Sequence, residues 1–500
     1  MLFNKYNDDD RIEALSGILA LGLPSSISPL IPYLRDYNPE IRHLTCRVVV
    51  ELFSRISTKN DFYETVKYAN ISTSDLDLYK KNFRSHDYWV LLAIASLNCN
   101  GYVREKAVRE LAKSQSNYAI QFIVFRLADW VHNVREVAIN SLENFKKREY
   151  INGLVENIPT IEWLQSVERL DLDFVYMDIM DFIIVQNRKM VLGNFKGYSD
   201  KIRILLSKKL VQSDQLELKD LQLLLSDRHF IVRKFALSHF GKLTENEVSR
   251  LLKDKSSRVR YETLSRLRDT QGFSKLVFGF IADDSARIRE IARGTLKGEI
   301  ADFAAIYDSN LHNGKKIAGS LSGLAELDAK EFTAAIKPFL THESVRVRRC
   351  AFLALKKLDE ATAFDYALTN LGIQYRKLRM ALIDLLGKNG TDDVLEKARS
   401  LYKEGDSDLK ISMLKLFSKI GRWAAIGDLM LGTLDEQEGI RNQSVQYVKR
   451  WKAMAVSYFT QPKPGELERA NQIFAFAFEF HEEKRYYPDN PLTGLNFYFQ

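Results

Sequence analysis

One phrase of sequence returns along most of this chain: an aliphatic residue, a basic residue, two variable residues, a small residue and, four further on, another apolar residue. Clear copies are Ile41-Arg42 with Thr45 and Val49, Val103-Arg104 with Ala107 and Leu111, and Val134-Arg135 with Ala138 and Leu142. Val232-Arg233 with Ala236 and Phe240, Val259-Arg260 with Thr263 and Leu267, and Ile288-Arg289 with Ala292 and Leu296 follow. Val347-Arg348 with Ala351 and Leu355, and Ile440-Arg441 with Ser444 and Val448, complete the set, and Leu378-Arg379 and Leu409-Lys410 are weaker copies. Arg348, Arg379, Lys410 and Arg441 stand 31 residues apart, as do Arg104 and Arg135, while Arg233, Arg260 and Arg289 are 27 and 29 apart. A period near 30 has room for two short helices and two turns, so the chain reads as an array of helical hairpins.

The phrase has a physical logic. The basic residue, the small one at +3 and the apolar one at +7 fall on neighbouring turns of a helix. The small residue lets the next helix approach, and the aliphatic and +7 residues fill the seam. No single hairpin can bury such a stripe alone, but stacking on the next one does, at roughly 25 cal/mol per Å² of apolar area. A stack needs no central core, which suits a chain of 500 residues with only 10 prolines and 24 glycines.

Six residues before the basic one an Asp recurs: Asp36/Arg42, Asp129/Arg135, Asp227/Arg233, Asp254/Arg260, Asp283/Arg289 and Asp435/Arg441. The spacing puts the Asp in the turn between the two helices and the Arg in the first turn of the second. There the carboxylate can accept from free backbone amides, and the Arg of the same or a neighbouring repeat can pair with it, giving a ladder along the stack. Across residues 10–450 this pattern resembles the HEAT-repeat superfamily, in particular the short bacterial HEAT-like repeats of phycobilin-lyase type. The resemblance implies an all-α fold, a right-handed α-solenoid of stacked HEAT-like helical hairpins. It says little about function, because members of that superfamily are scaffolds, adaptors, transport receptors, lyase subunits and DNA-repair glycosylases.

Residues 1–150 read as N-terminal repeats, with a polar stretch at 58–75 that suits a longer connection. Residues 151–190 form an irregular helical insertion, rich in apolar and aromatic residues over Leu170–Val185, either a buried irregular repeat or a docking bulge. Repeats resume over 191–451, with a degenerate unit at 301–328 where Gly319 and Gly323 weaken the helix and suggest a flexible point. Residues 452–500 read as a capping helix and an irregular aromatic tail: Phe474, Phe476, Phe478 and Phe480 alternate as in a strand, while Leu467, Ala470, Ile473 and Phe474 also read as a helix. The final Asn496-Phe497-Tyr498-Phe499-Gln500 partly resembles a protease-tag scar and is left out of functional argument.

Sequence motifs for catalysis are missing: there is no phosphate-binding Gly-rich loop, HExxH, GxSxG or CxxC. Cys46, Cys99 and Cys350 read as small buried hydrophobes, and the 8 histidines are scattered, so no cofactor or metal is expected. The ladder residues are charged and paired, but catalysis needs one asymmetric constellation, not a repeated one. Trp89 and Trp130 read as core residues or wedges between repeats, with exposed aromatic anchors for a partner as the alternative. The N-terminus lacks the apolar core of a signal peptide and no run of about 18 apolar residues occurs, which suggests a cytoplasmic protein.

The net charge of +8 permits an acidic partner without demanding one. Two residues before the ladder position, over roughly residues 255–380, the chain is read as turning basic at Arg258, Arg287, Arg346 and Arg376, with Lys315 in the degenerate unit. Several cations in register beside free helix amides suit an anion: an acidic protein surface or peptide, or, less well, nucleic-acid phosphate. The reading that follows is a non-enzymatic scaffold or adaptor that binds protein partners. The alternatives are a nucleic-acid-binding HEAT-like protein of the DNA-repair kind, or an accessory subunit of a lyase.

Overall fold

The computed structural model describes residues 7–56, 59–213, 216–457 and 461–499. Their regular elements are α-helices, short 3-10 segments and one π turn, with no strand among the described residues. The chain forms two compact units, Met1–Thr263 and Leu264–Gln500. Each is built from stacked helical hairpins.

In the first unit, the helices Ser85–Ala95 and Gly101–Ala112 make one hairpin, and Asn117–Arg126 and His132–Leu142 make the next. The second helices of the two, Gly101–Ala112 and His132–Leu142, pack directly on each other. Their buried residues are Val103, Ala107, Val108 and Leu111 on one and Val134, Val137, Ala138 and Leu142 on the other. In the second unit the helices Arg376–Leu386, Ser407–Ile420 and Glu438–Ala455 stack in the same way. The small residues at +3 (Thr45, Ala107, Ala138, Ala236, Thr263, Ala292, Ala351 and Ser444) are all fully buried. A larger side chain at any of them would hold the next helix off.

Helix starts follow local chemistry. Asn38 and Asn100 cap their helices through side-chain oxygens that accept from the amides of Glu40 and Tyr102. Ser72 with Asp75 and Thr244 with Glu247 form capping boxes. No described helix is long and apolar enough to cross a membrane.

The structure differs from the sequence reading in several places. The stretch expected as a connection at 58–75 contains the helix Lys59–Val66 and the start of Thr73–Asn82; residue 58 lies outside the described residues. Val66, Leu76 and Tyr79 bury their side chains, so polar composition there marks one exposed face rather than a loop. Residues 151–193 break into short helices around the π turn Phe182–Gln186. Tyr176, Ile179 and Ile183 are buried, whereas Phe174 is 84% and Met177 63% exposed. Cys46 is buried, but Cys99 is exposed, because it stands in the turn between two helices of a hairpin.

The C-terminal phenylalanines lie within one long helix, Pro464–Lys484, and not in a strand or an irregular tail. Pro464 opens it, as proline does where no amide donor is needed. Phe474 then meets Phe478 one turn on, at 5.4 Å. Beyond it, Leu492, Leu495 and Phe499 are buried, and Phe499 sits against Trp451 and Phe474.

The degenerate unit is two regular helices, Phe303–His312 and Ile317–Glu326, and its glycines serve close packing rather than flexibility. A methyl at Gly319 would overlap the Ala282 carbonyl, and one at Gly323 would overlap the Tyr307 ring. Overpacking of this kind costs about 1–3 kcal/mol, more than the helix propensity gained by replacing Gly with Ala, about 1 kcal/mol. Gly319→Ala should therefore lower the urea midpoint of the full chain, whereas Gly294→Ala, where nothing lies within 4 Å, should leave it unchanged or raise it.

Candidate interaction surfaces

The turns between the two helices of successive hairpins form one edge of each unit. Their geometry is set by the arginine that follows. Arg11, Arg42, Arg104, Arg135, Arg203 and Arg233 are each the fourth residue of their helix, as are Arg260, Arg289, Arg348, Arg379, Lys410 and Arg441. From there the guanidinium reaches back over the first turn. Arg42, Arg135, Arg233, Arg260, Arg289 and Arg441 each donate through Nη1 to the main-chain carbonyl of their own Asp, at 2.6–2.9 Å.

The carboxylates point elsewhere. Oδ1 of Asp36, Asp129, Asp227, Asp254, Asp283 and Asp435 accepts from the amide two residues on, which closes the turn into the helix. The rest of the carboxylate takes the basic residue of the preceding repeat. Arg104 grips Asp129 by two bonds of 2.8 Å, Arg203 holds Asp227, Arg233 holds Asp254 by two bonds of 2.7 Å, and Lys410 holds Asp435 at 2.8 Å. Arg11 does the same with Asp36. Arg104, Arg203 and Arg233 thus each bridge their own turn and the next one.

Sequence reasoning left Arg11, Arg104, Arg203 and Lys410 out of the ladder. The signal was present: the pairing Asp follows the basic residue by 21 to 25 positions. At four positions where the acceptor is missing, the Arg finds a substitute. Arg289 pairs with Glu326 of the degenerate unit, and Arg379 with Asp408. Arg348 lies over the Tyr375 ring and Arg441 over the Tyr486 ring, at 5.3 and 4.2 Å. The Nε atoms of Arg348 and Arg441 are buried without a hydrogen-bond partner.

The Arg104–Asp129 pair is 1% and 0% exposed, with Arg126 at 2.9 Å from the same carboxylate. Burial alone would raise the Asp129 pKa; the Arg104 hydrogen bond, the Arg126 charge and the Val131 amide outweigh it and hold the group below its ordinary 3.8. Burial pulls Arg126 down to about 10, against the opposing pull of Asp129.

The basic stripe is less regular than its spacing suggested. Arg258, Arg287 and Arg346 are each the second residue of a helix, two before the ladder Arg. Arg376 is the first residue of its helix, three before Arg379, and Lys315 lies ahead of the helix that starts at Ile317. The first of them belongs to the N-terminal unit and the other four to the C-terminal one. All five are exposed, yet several are engaged. Arg346 pairs with Asp284 at 2.5 Å, Arg376 lies 3.8 Å from Asp408, and Arg258 covers the Phe230 ring at 5.0 Å. In the first unit the same edge carries aromatics instead: Tyr102 is 78% and Trp130 68% exposed, the latter over the Arg104 guanidinium at 5.6 Å. Trp130 is therefore not a wedge between repeats. It occupies the position directly after the ladder Asp, which the closed turn directs outward. Trp89 is half-buried and packs against the core.

No cluster of His, Cys, Asp and Glu suited to a metal ion occurs among the described residues. No protein-family model and no curated protein matches the chain. Among solved structures it is similar to the C-terminal fragment of the Chaetomium thermophilum cohesin loader SCC2, at 11% identity and a TM-score of 0.35, over 91% of this chain and 43% of that one. It is also similar to Kap121p, at 10% identity and a TM-score of 0.28, over 95% of this chain and 57% of that one. A third is the karyopherin Kap121p bound to the extreme C-terminus of the protein phosphatase Cdc14p, at 10% identity and a TM-score of 0.31, over 90% and 56%. The chain spans about half the length of these structures.

Two outcomes follow for the ladder. Asp129→Asn leaves Arg104 and Arg126 buried against a neutral amide, and breaking a buried pair in this way costs about 3–5 kcal/mol. Arg346→Ala removes an exposed pair, so its change should stay within about 0.5 kcal/mol in the same urea titration. Because the native Asp129 carboxyl titrates below its unfolded value, its contribution is present above about pH 4 and is lost as the pH falls through the native pKa. The stability of Asp129→Asn should therefore fall less steeply than that of the unmodified chain below pH 4.

Proposed function

We propose that the chain is a non-enzymatic scaffold that binds protein partners along its stacked hairpins, with an acidic surface or peptide as the preferred partner. One observation carries this reading. The acid and base groups that look most like chemistry form the same bridge in repeat after repeat, from Arg104–Asp129 to Lys410–Asp435. Groups held in a repeated structural bond are not free to act as a nucleophile, acid or base at one asymmetric site. The ladder edge instead offers solvent the cations Arg258, Arg287 and Arg346 and the aromatics Tyr102 and Trp130. Arginine and large aromatic residues are the types that anchor protein interfaces.

A nucleic-acid reading makes a different forecast, because phosphate contacts release counterions and decay steeply with salt. In fluorescence anisotropy, duplex and single-stranded oligonucleotides should show no tight binding at about 50 mM salt, where screening is weak. A partner cross-linked to the chain in its native source and then purified should re-form a defined complex with it on size-exclusion chromatography. Tight oligonucleotide binding that collapses at about 200 mM salt would replace the scaffold reading with the nucleic-acid one.

A further inference from the structure

In the C-terminal unit an open groove of about 560 Å³ runs between the end of the Ser407–Ile420 helix and the facing Glu438–Ala455 helix. Lys415 and Lys419 stand one turn apart on the first, and Tyr447, Arg450 and Met454 follow one face of the second. Arg422 enters from the turn between, where Gly421 and Arg422 both adopt positive φ, 60° and 47°. The Trp451 indole donates to the Arg422 carbonyl at 2.5 Å and ties that turn to the helix. The conformation is an uncommon one for a residue other than glycine, and here it is held by a specific bond.

The charge arrangement sets this groove apart from the ladder. Its lining holds four cations and no carboxylate. Lys419 reaches out to Asp384 at 3.0 Å, in a half-exposed pair. Among the described residues the Lys415 ammonium meets the Met380 sulfur, 3.6 Å away. Among the described residues Lys415, Arg422 and Arg450 form no ion pair. A helix C-terminus favours a cation in its last turn, which accounts for Lys419. It does not account for Arg450 and Arg422 converging on the same space from other segments. Burial raises the Tyr447 phenol, and the charges of Arg450 and Lys419 offset part of that rise. Like charges gathered in a concave site repel one another and focus a field that attracts an anion.

We propose that this groove binds an acidic peptide segment of a protein partner. Carboxylates of the segment pair with Lys415, Arg422 and Arg450, and an aliphatic side chain lies against Ile420 and Met454. The inference rests on the scaffold reading and gives it a site, distinct from the Arg258, Arg287 and Arg346 stripe. A protein segment fits better than a nucleic acid because, of the two aromatic rings in the lining, Trp451 is buried and Tyr447 half-buried, whereas strand binding relies on exposed aromatic stacking platforms and a longer basic track.

The test uses the full chain and a fluorescein-labelled Glu-rich peptide carrying one Leu, with the Gln-for-Glu peptide as control. Binding is read by anisotropy at about 50 mM salt, where exposed charges are weakly screened. The expected result is saturable binding of the Glu peptide only, weakened at least about tenfold by Lys415→Glu with Arg450→Glu, a loss of roughly 1.4 kcal/mol. Arg287→Glu with Arg346→Glu should leave it within about twofold. These positions are exposed or half-exposed, and an unchanged thermal melt by circular dichroism confirms that each variant folds. Should a reversal variant fail that check, Lys415→Gln with Arg450→Gln takes its place and should weaken binding in the same direction. Binding lost in the stripe variant but kept in the groove variant overturns this site and leaves the scaffold reading standing. No binding of the Glu peptide, or tighter binding of a single-stranded oligonucleotide of equal charge, also overturns it.

Discussion

An arginine at the fourth position of a helix, shared between two turns, is the interaction on which the rest of this structure depends. One nitrogen holds the carbonyl of its own turn, and the others hold the carboxylate of the next turn, as Arg233 does with Asp227 and Asp254. The first bond shapes the hairpin, and the second fixes its register on the neighbour. The planar guanidinium makes both at once because its donors diverge from one rigid fork. Lysine can make only point contacts, so Lys410 keeps the bond to the next carboxylate, Asp435. The small residue at +3 and the apolar one at +7 follow from the same geometry, since the bridge brings the helices close enough that only small side chains fit between them.

Breaks in the ladder confirm its logic. The turn between the two helices of the degenerate unit has no Asp to offer, and Glu326 reaches back from its second helix to Arg289 and Arg293. Arg348 and Arg441 meet aromatic rings in place of a carboxylate. In each case a buried or half-buried guanidinium gains a counter-charge or a π face, because an unpaired one in such surroundings would be destabilising. Against that rule, the unmatched cations of the groove lined by Lys415, Arg422 and Arg450 stand out, and so does their position away from the ladder edge.

The repeat, its period and the helical class were legible because each repeat restates them. Thr45, Ala107 and Ala351 each carry the same packing requirement, and so the pattern survives single exceptions. Features that occur once were harder to read. The glycines at 319 and 323 look like weak points in one dimension and are contact points in three. Phe474 to Phe480 alternate like a strand, but a helix of 21 residues places Phe474 against Phe478. Cys99 and Trp130 lie in hairpin turns that leave them exposed, which their residue type alone would not suggest.

The amino-acid sequence by itself determined the hairpin array and the small and apolar residues of its seams. These depend on separations of fewer than about ten residues, where helix geometry converts spacing directly into position. Tertiary structure alone decided which partner each charge takes. The Asp129 carboxylate could have gone to Arg135, six residues away, and goes instead to Arg104, 25 residues back. The same holds for the groove, whose cations come from two helices and a turn and share a surface only once the hairpins have stacked. Pairing is a property of the space between repeats, and that space exists only after the apolar seams have closed.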